Sequence, residues 1–401
     1  MRVWYKEELE EEDKNWRTKK IVVFRHGDRT PVGTYPKDPY RNYPWPQGYG
    51  QLTNPGKLRM NKVGQYFKGR YSFLTGYKYN RKNVIVNSSY MDRCVQSAEC
   101  FLSGYYPPTS SEIWDPYIYW QPIPVYTIPK KYDNIIQYSK NCPLYKKLFS
   151  DISFHDQFRM FYKKYESFFK YIENNTEINL SPHFDKLILN LGIVYDSLLI
   201  ESTQYNLTLP RWTNSVYPEP LKSLLNQLIR IQLGGHEIKK LLIGPFLKLL
   251  LSEMKQKVRN INSGPKLHLF SGHDFNIVYL KVALNIYDNI LPHYGSCLAF
   301  ELRKKNDIHY ITAVYENSTE TAPYLLNIPA CGSYCTLEKF EHLINSLIPQ
   351  NWESACKGRD LQEEIKILIE KLKILTKTIK NELIAKSLTR LYKTTDSDYP
   401  G

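Results

Sequence analysis

The 401-residue sequence predicts an α/β fold with a mostly parallel central sheet, helices on both faces and an inserted α-helical cap domain. Three short apolar runs support this, because each suits a strand that is buried on both sides, and helical patterns lie between them. The runs are 21–24 (IVVF), 83–87 (NVIVN) and 267–271 (LHLFS). From about 140 to 240 helical segments dominate and no long apolar strand occurs. This change of pattern predicts the cap.

The remaining elements have local signals. Residues 32–50 are rich in Pro, Gly and Tyr and predict a long loop. Thr53 or Asn54 can cap a following helix, and Pro55 suits its first turn. We expect helices at about 94–104, 238–258 and 337–346, and four within the cap, at 144–149, 158–173, 184–197 and 220–231. Residues 298–303 and 310–315 predict a hairpin.

These signals divide the chain into five regions. They are an N-terminal extension (1–17), the first part of the α/β core (18–139), the helical cap (140–240), the second part of the core (241–356) and an amphipathic helical tail (357–401). The tail has a seam of apolar residues at heptad spacing: Leu361, Ile365, Leu368, Leu372, Leu375 and Ile379. Such a seam docks on its own domain, pairs with a partner helix or lies on a membrane surface, and we favour the first.

The chain is basic, with 54 Lys and Arg against 40 Asp and Glu, a net charge of +14. A positive surface attracts phosphoesters, nucleic acids or anionic membranes. However, the basic residues are spread along the chain, and no RNA-recognition motif accompanies the 33 tyrosines. We therefore expect no nucleic-acid partner. No run of 18 apolar residues occurs, so we expect no transmembrane segment.

The seven cysteines lack the spacing of a zinc site, so we favour disulfides and a secretory compartment. Four possible N-glycosylation sites agree with that: Asn87, Asn174, Asn206 and Asn317. The first 20 residues are charged, with no apolar segment typical of a signal peptide. Either the chain is intracellular, or its first exon is missing or misplaced.

Charged residues and histidines follow each of the three predicted strands. They are Arg25, His26 and Arg29 after the first, Arg93 after the second, and His273 with Asp274 after the third. In open α/β sheets ligands bind beyond the carboxyl ends of strands, so these clusters can converge. Convergent arginines and histidines suit a compact, multiply charged anion such as phosphate. The carboxylate suits proton donation to a leaving oxygen.

Two motifs carry a family resemblance. The heptapeptide RHGDRTP at 25–31 resembles the signature of the histidine acid phosphatases, branch 2 of the histidine phosphatase superfamily, and SGHD at 271–274 resembles their second motif. Arg93 stands where the family has a distal arginine. The resemblance covers about 18–356 and is similar to the animal branch, with its prostatic, lysosomal and insect venom acid phosphatases.

The resemblance implies an acid phosphatase that hydrolyses phosphate monoesters through a phosphohistidine. His26 would be the nucleophile and Asp274 the proton donor. The phosphoryl oxygens would be held by Arg25, Arg29, Arg93 and His273. No metal or cofactor is implied. The substrate would be a small-molecule phosphomonoester or a phosphoprotein. The protein would be secreted or lysosomal, with Asn174, Asn206 and Asn317 as glycosylation sites. A homodimer is possible.

The resemblance also implies the disulfides Cys142–Cys356 and Cys331–Cys335. A third family bridge would use Cys297, but its partner position holds Ile200. Cys297 would then be unpaired. Cys94 and Cys100 would be unpaired as well.

Two other functions stay open. A phosphomutase-like relative would share the Arg-His-Gly core, but the helical insert and the His-Asp pair favour a phosphatase. A secreted interaction protein with a silent site is the other alternative, and the intact set of motif residues argues against it.

Overall fold

The computed structural model describes residues 17–137, 142–260, 264–317 and 322–358, together with 365–366, 368–381 and 383–384 of the tail. The described residues form two compact units, which are divided between residues 349 and 350. The predicted extension lies outside the described residues except for Arg17. The five predicted domain boundaries stay a prediction.

The first unit is built on one sheet. Its strands are β1 (Arg17–Arg25), β2 (Val84–Ser88), β3 (Tyr126–Thr127), β4 (Leu267–Gly272), β5 (Cys297–Lys305), β6 (Ile308–Glu316), β7 (Tyr324–Leu325) and β8 (Cys335–Thr336). The order is β3-β2-β4-β1-β5-β6-β7, and β8 pairs with β6. The ladders from β3 to β1 are parallel, whereas β5 to β8 add antiparallel strands. The predicted fold class and the β5–β6 hairpin are confirmed.

The helices agree with most of the predicted ones. They are α1 (Asn54–Thr75), α2 (Asp92–Tyr105), α3 (Pro143–Asp151), α4 (Asp156–Thr176), α5 (Phe184–Thr203), α6 (Leu221–Gln232), α7 (His236–Arg259), α8 (Asp274–Ala283) and α9 (Leu337–Ile344). The second unit contains α10 (Trp352–Cys356). Helix α8 was not predicted, although it begins at one of the proposed site residues.

Helices cover both faces of the sheet, which explains why its central strands are continuous apolar runs. On one face, α1 and α2 pack against Val22 and Phe24, and Phe24 stacks on Phe101 with ring centroids 5.1 Å apart. On the other face, Phe246 of α7 meets Phe270 of β4 with centroids 5.3 Å apart.

The start of α1 supports the loop that follows β1. Thr53 caps the helix, because its side-chain oxygen accepts a hydrogen bond from the amide of Gly56 at 3.2 Å. A Cβ atom on Gly56 would lie 2.2 Å from the carbonyl oxygen of Asp28, and one on Gly27 would lie 2.5 Å from that of Gly56. Only glycine fits at both positions, so the loop is held tightly against the helix.

The described residues 142–240 of the stretch predicted as a cap form helices joined by loops, with no strand among them, from α3 to the start of α7. The described residues of the tail between 365 and 384 are also helical, although Leu361 of the predicted seam lies outside them. What the seam packs against stays a prediction. Within the described ranges, no helix has both the length and the apolar character needed to cross a membrane.

Candidate active site

The sheet register brings the three strand ends together. Arg25 at the end of β1 pairs with Gly272 of β4, and Ser88 at the end of β2 pairs with Ser271. The backbone continues these contacts one residue further, since the amide of His26 donates to the carbonyl of Gly272 at 3.0 Å. The predicted clusters therefore lie at one edge of the sheet, beyond the carboxyl ends of parallel strands.

His26 is buried, with 2% of its surface exposed. Its Nδ1 lies 2.8 Å from the carbonyl oxygen of Gly27. A carbonyl can only accept, so Nδ1 carries the proton and Nε2 keeps its lone pair. Burial, followed by the positive charge of Arg93 and those of the other nearby cations, holds the pKa of His26 well below its usual value. The ring is therefore a neutral base with a free nitrogen.

Arg25 lies beside the proposed proton donor. Its guanidinium forms an ion pair with Asp274 at 3.0 Å and donates to the carbonyl of Pro292 at 2.7 Å. The same group stacks on the ring of Tyr294, with its central carbon 4.0 Å from the ring centroid. These three contacts, to the start of α8 and to the turn before β5, fix the orientation of this arginine.

Arg29 is held by a carboxylate from the cap region. Both of its terminal nitrogens donate to Asp196 of α5, at 2.8 and 2.9 Å, in a bidentate pair. The first of these nitrogens also donates to the carbonyl of Thr30 at 3.1 Å. A helix of the predicted cap thus orients a residue of the β1 loop.

Arg93 enters the site from the first turn of α2. One terminal nitrogen donates weakly to the carbonyl of Gly50 at 3.4 Å, which ties it to the 32–50 loop. Its charge is the largest electrostatic influence on His26 after burial, so it lies close to the proposed nucleophile. The structure therefore brings Arg93 together with the other site residues.

His273 is the N-cap residue of α8, and its ring lies 5.6 Å from the ring of His26, nearly perpendicular to it. Its Nε2 lies 3.0 Å from the hydroxyl oxygen of Ser89, which also contacts the side-chain amide of Gln137. Burial, and then the charge of Arg93, lowers the pKa of His273. Like His26, this ring stays neutral at mildly acidic pH.

Asp274 follows in the first turn of α8. Burial alone raises the pKa of its carboxyl, but the charges of Arg25 and Arg29 outweigh that effect, and the net pKa is lowered. The amide of Phe275 also donates to it at 2.8 Å. In the free protein Asp274 is therefore a carboxylate.

The sequence motifs revealed none of the residues that orient these groups. Asp196 lies in the middle of an amphipathic cap helix, Gln137 in a loop and Tyr294 in the turn before β5. None of these positions carries a pattern that marks it out. Asp28 of the heptapeptide, in contrast, contacts Arg59 of α1 at 2.6 Å and stabilises the loop.

The cysteines agree with the predicted oxidation states. Cys331 and Cys335 form a disulfide, and Cys142 and Cys356 are each disulfide-bonded. The pairing of the latter two with each other stays a prediction. Among the described residues, the free cysteines are Cys94, Cys100 and Cys297. In the same part of the chain, no cluster of His, Cys, Asp and Glu side chains is suited to a metal ion.

Two of the possible glycosylation sites have clear surroundings. Asn206 and Thr208 are both exposed, as glycosylation requires. Asn87 lies on β2, where its side-chain oxygen contacts Nε2 of His268 at 2.7 Å, and the next two residues are buried. The structure therefore argues against Asn87.

The other two sites are less open. Asn174 is exposed, but the hydroxyl of Thr176 is buried and donates to the carbonyl of Ile172 at 2.7 Å. The side-chain oxygen of Asn317 accepts from the hydroxyl of Tyr315 at 2.8 Å. Glycosylation of Asn174, Asn206 and Asn317 stays a prediction.

Comparisons with known proteins agree with this arrangement. The family model of the histidine phosphatase superfamily (branch 2) matches residues 18–316. Prostatic acid phosphatase of Rattus norvegicus is 34% identical over 347 residues, which cover 84% of this chain and 88% of the relative. Lysosomal acid phosphatase of Homo sapiens is 32% identical over 340 residues, covering 84% and 79%.

A solved structure shares the fold. Hafnia alvei phytase in complex with tartrate superposes with a TM-score of 0.61 at 17% identity, covering 85% of this chain and 98% of that one. The family-model match and the identity to the curated relatives show that the chain belongs to the histidine phosphatase superfamily, branch 2. It is a phosphatase, and its curated relatives include prostatic and lysosomal acid phosphatases.

Proposed function

We propose that this protein is an acid phosphatase in which His26 attacks the phosphorus of a phosphate monoester and becomes a phosphohistidine. The observation that carries the proposal is a buried, neutral imidazole with a free Nε2 among arginines. A nitrogen nucleophile divides one difficult displacement into two easier ones. The proposed reaction therefore starts with bond formation between Nε2 and phosphorus.

The lowered pKa of His26 suits work in acid. At pH 5 an imidazole with an ordinary pKa of about 6.5 would be only about 3% neutral. Burial and the neighbouring cations lower the pKa of His26 well below that value, which favours the unprotonated ring in acid. The nucleophile is thus available under conditions in which an exposed histidine would be blocked.

Arg25, Arg29, Arg93 and His273 are the proposed ligands of the phosphoryl oxygens. Phosphoryl transfer depends on positioning and on neutralising the charge of those oxygens. The support is that their fixed side chains surround His26, with Arg29 held by its bidentate pair. Three of these four ligands are arginines, and cations that are already fixed need no reorganisation as charge develops in the transition state.

Asp274 is the proposed general acid, and its partner explains how it acquires a proton. In the free protein Arg25 favours its carboxylate form. A bound phosphate dianion competes for that cation and adds negative charge nearby, so the pKa of Asp274 rises. The protonated carboxyl then gives its proton to the ester oxygen as the P–O bond breaks. Water subsequently attacks the phosphohistidine, returns a proton to Asp274 and releases phosphate.

The natural substrate is proposed only by class, as a small-molecule phosphomonoester or a phosphoprotein. A secreted or lysosomal location is supported by the disulfides, the exposed Asn206 and the lysosomal and prostatic relatives. Mobility before and after endoglycosidase digestion tests whether the expressed protein enters the secretory pathway. An unchanged mobility would contradict that location.

A homodimer is the proposed assembly. Strand β3 lies at the edge of the sheet, and the preceding segment exposes large aromatic side chains. Tyr117 is 95% exposed and Tyr119 is 69% exposed. An aromatic surface next to a strand edge favours association with a second copy. Light scattering should give the mass of a dimer, and a monomer at micromolar concentration would refute the proposal.

Turnover of an aryl phosphate at pH 5 tests the proposed activity. The wild type should release phosphate. His26→Asn should have less than about a thousandth of the wild-type kcat, because the nucleophile is lost. His183→Asn, which changes an exposed histidine at the start of α5, is the matched control and should keep full activity. A wild type without turnover would favour the silent-site alternative.

A further inference from the structure

Four buried hydrogen-bond donors at the site have no acceptor among the residues that the structure describes. They are the Nε atoms of Arg25, Arg29 and Arg93 and the hydroxyl of Tyr294. A buried donor without an acceptor destabilises a protein, and native structures contain few. An anion bound beside His26 would bring oxygens that can accept such hydrogen bonds. The sequence motifs explain the three arginines but not Tyr294.

Tyr294 belongs to a turn that is fixed to the proposed phosphate-binding loop. Arg25 donates through its guanidinium to the carbonyl of Pro292 at 2.7 Å, and the amide of Gly295 donates to the carbonyl of His26 at 3.2 Å. Gly295 has a φ of +76°, in the left-handed region that favours glycine. The turn thus holds Tyr294 in one position relative to the nucleophile.

The ring of Tyr294 lies against the cations of the site. Its centroid is 4.0 Å from the guanidinium carbon of Arg25, 6.0 Å from that of Arg29 and 5.7 Å from the ring centroid of His26. The side chain is over nine-tenths buried. A buried phenol this close to the nucleophile belongs to the wall of the same site.

The charged groups that act on the Tyr294 hydroxyl are those of the same site. Burial raises the pKa of Tyr294. The positive charges of Arg29 and Arg25 lower this pKa, whereas the negative charges of Asp196 and Asp274 raise it, and the net effect is an increase. These are the charged groups that the site itself contains. Because the net pKa is raised, the hydroxyl keeps its proton at acidic and neutral pH and can only serve an anion as a donor.

We infer that the Tyr294 hydroxyl donates a hydrogen bond to a phosphoryl oxygen of the bound substrate, as a phosphate-binding residue additional to the motif residues. The inference rests on the proposed function of this site. Hydrogen bonds to charged acceptors are stronger than neutral ones, and a donor already fixed in place loses little entropy. Phosphate binding therefore satisfies a hydroxyl that lacks an acceptor in the free protein.

Tyr294→Phe tests this, because it keeps the ring on Arg25 and removes only the hydroxyl. We expect inorganic phosphate and vanadate to bind about 10- to 100-fold more weakly, as loss of one hydrogen bond to a charged group predicts. The melting temperature of the phosphate-free variant should be unchanged or higher, since an unsatisfied buried hydroxyl has been removed. The increase in melting temperature caused by phosphate should be smaller than in the wild type.

Tyr106→Phe is the matched control. Tyr106 is also buried, with a hydroxyl that lacks an acceptor, but it follows the far end of α2, about 18 Å along that helix from Arg93. It should leave phosphate binding unchanged. Wild-type affinity for phosphate and vanadate in Tyr294→Phe would overturn the inference, as would a lower melting temperature with unchanged binding. If the wild type itself binds neither anion, the proposed function fails instead.

Discussion

A buried carboxyl outside the active site predicts how stability depends on pH. Glu201 of α5 is fully buried, and Asp38 of the 32–50 loop is 6% exposed. Burial, followed by the negative charge of Asp38, raises the pKa of Glu201 to about 9. The oxygens of Asp38 accept from the amide of Tyr40 at 2.8 Å and from the hydroxyl of Thr34. Glu201→Gln removes the titrating group and keeps the shape.

The sign and size of the effect of Glu201 on the free energy of unfolding follow from proton linkage. Unfolded, Glu201 loses its proton near its ordinary pKa of 4.5, whereas folded it keeps the proton up to about 9. Its contribution to stability is therefore complete below pH 4.5 and declines as the pH rises between these two values. With one extra proton in the folded state, the free energy of unfolding falls by about 1.4 kcal/mol for each pH unit of increase. Glu201→Gln should lower the total slope by about that amount.

Urea unfolding at pH 5, 6.5 and 8 provides the measurement. The wild type should lose stability from pH 5 to pH 8 more steeply than Glu201→Gln, so that the variant becomes relatively more stable at alkaline pH. Glu177→Gln, at the exposed end of α4, is the control and should follow the wild type. Identical slopes in wild type and Glu201→Gln would refute the reasoning.

Three further predictions concern the site. Asp274→Asn should lower kcat about 10²- to 10⁴-fold for alkyl phosphates and far less for aryl phosphates, because only poor leaving groups need the proton; equal losses would exclude a proton donor. Asp196→Asn should raise KM about tenfold with a smaller change in kcat, since Arg29 loses a charged partner; an unchanged KM would contradict its positioning role. Chelators should leave turnover unchanged, because fixed arginines supply the positive charge; activity restored by Mg²⁺ or Zn²⁺ would contradict that.

The sequence was sufficient to predict the central strands and the residues at their ends. The strand at 21–24 is buried on both faces, so its apolar run was continuous and its end was sharply marked by Arg25. The same pattern located β4 and the His273–Asp274 pair. Parallel strands then require these ends to meet at one edge.

The sequence could not predict the contacts made between distant segments. The pair of Arg29 and Asp196 joins residues 167 positions apart, and no local pattern records it. Tyr294 lies in a turn without regular periodicity, among many other tyrosines. Helix α8 lacks a one-sided apolar pattern in the sequence, because its consecutive residues from Asn276 to Lys281 are all buried.

Trapping the covalent intermediate is the most direct test of the central claim that His26 is the nucleophile. A labelled aryl phosphate is mixed with enzyme and quenched within milliseconds. The wild type should carry label that is labile in acid and stable in base, as a phosphorus–nitrogen bond requires. Asp274→Asn should accumulate more of it, because water attack then lacks a base, and His26→Ala should carry none. Label on His26→Ala, or an acid-stable linkage in the wild type, would contradict the mechanism.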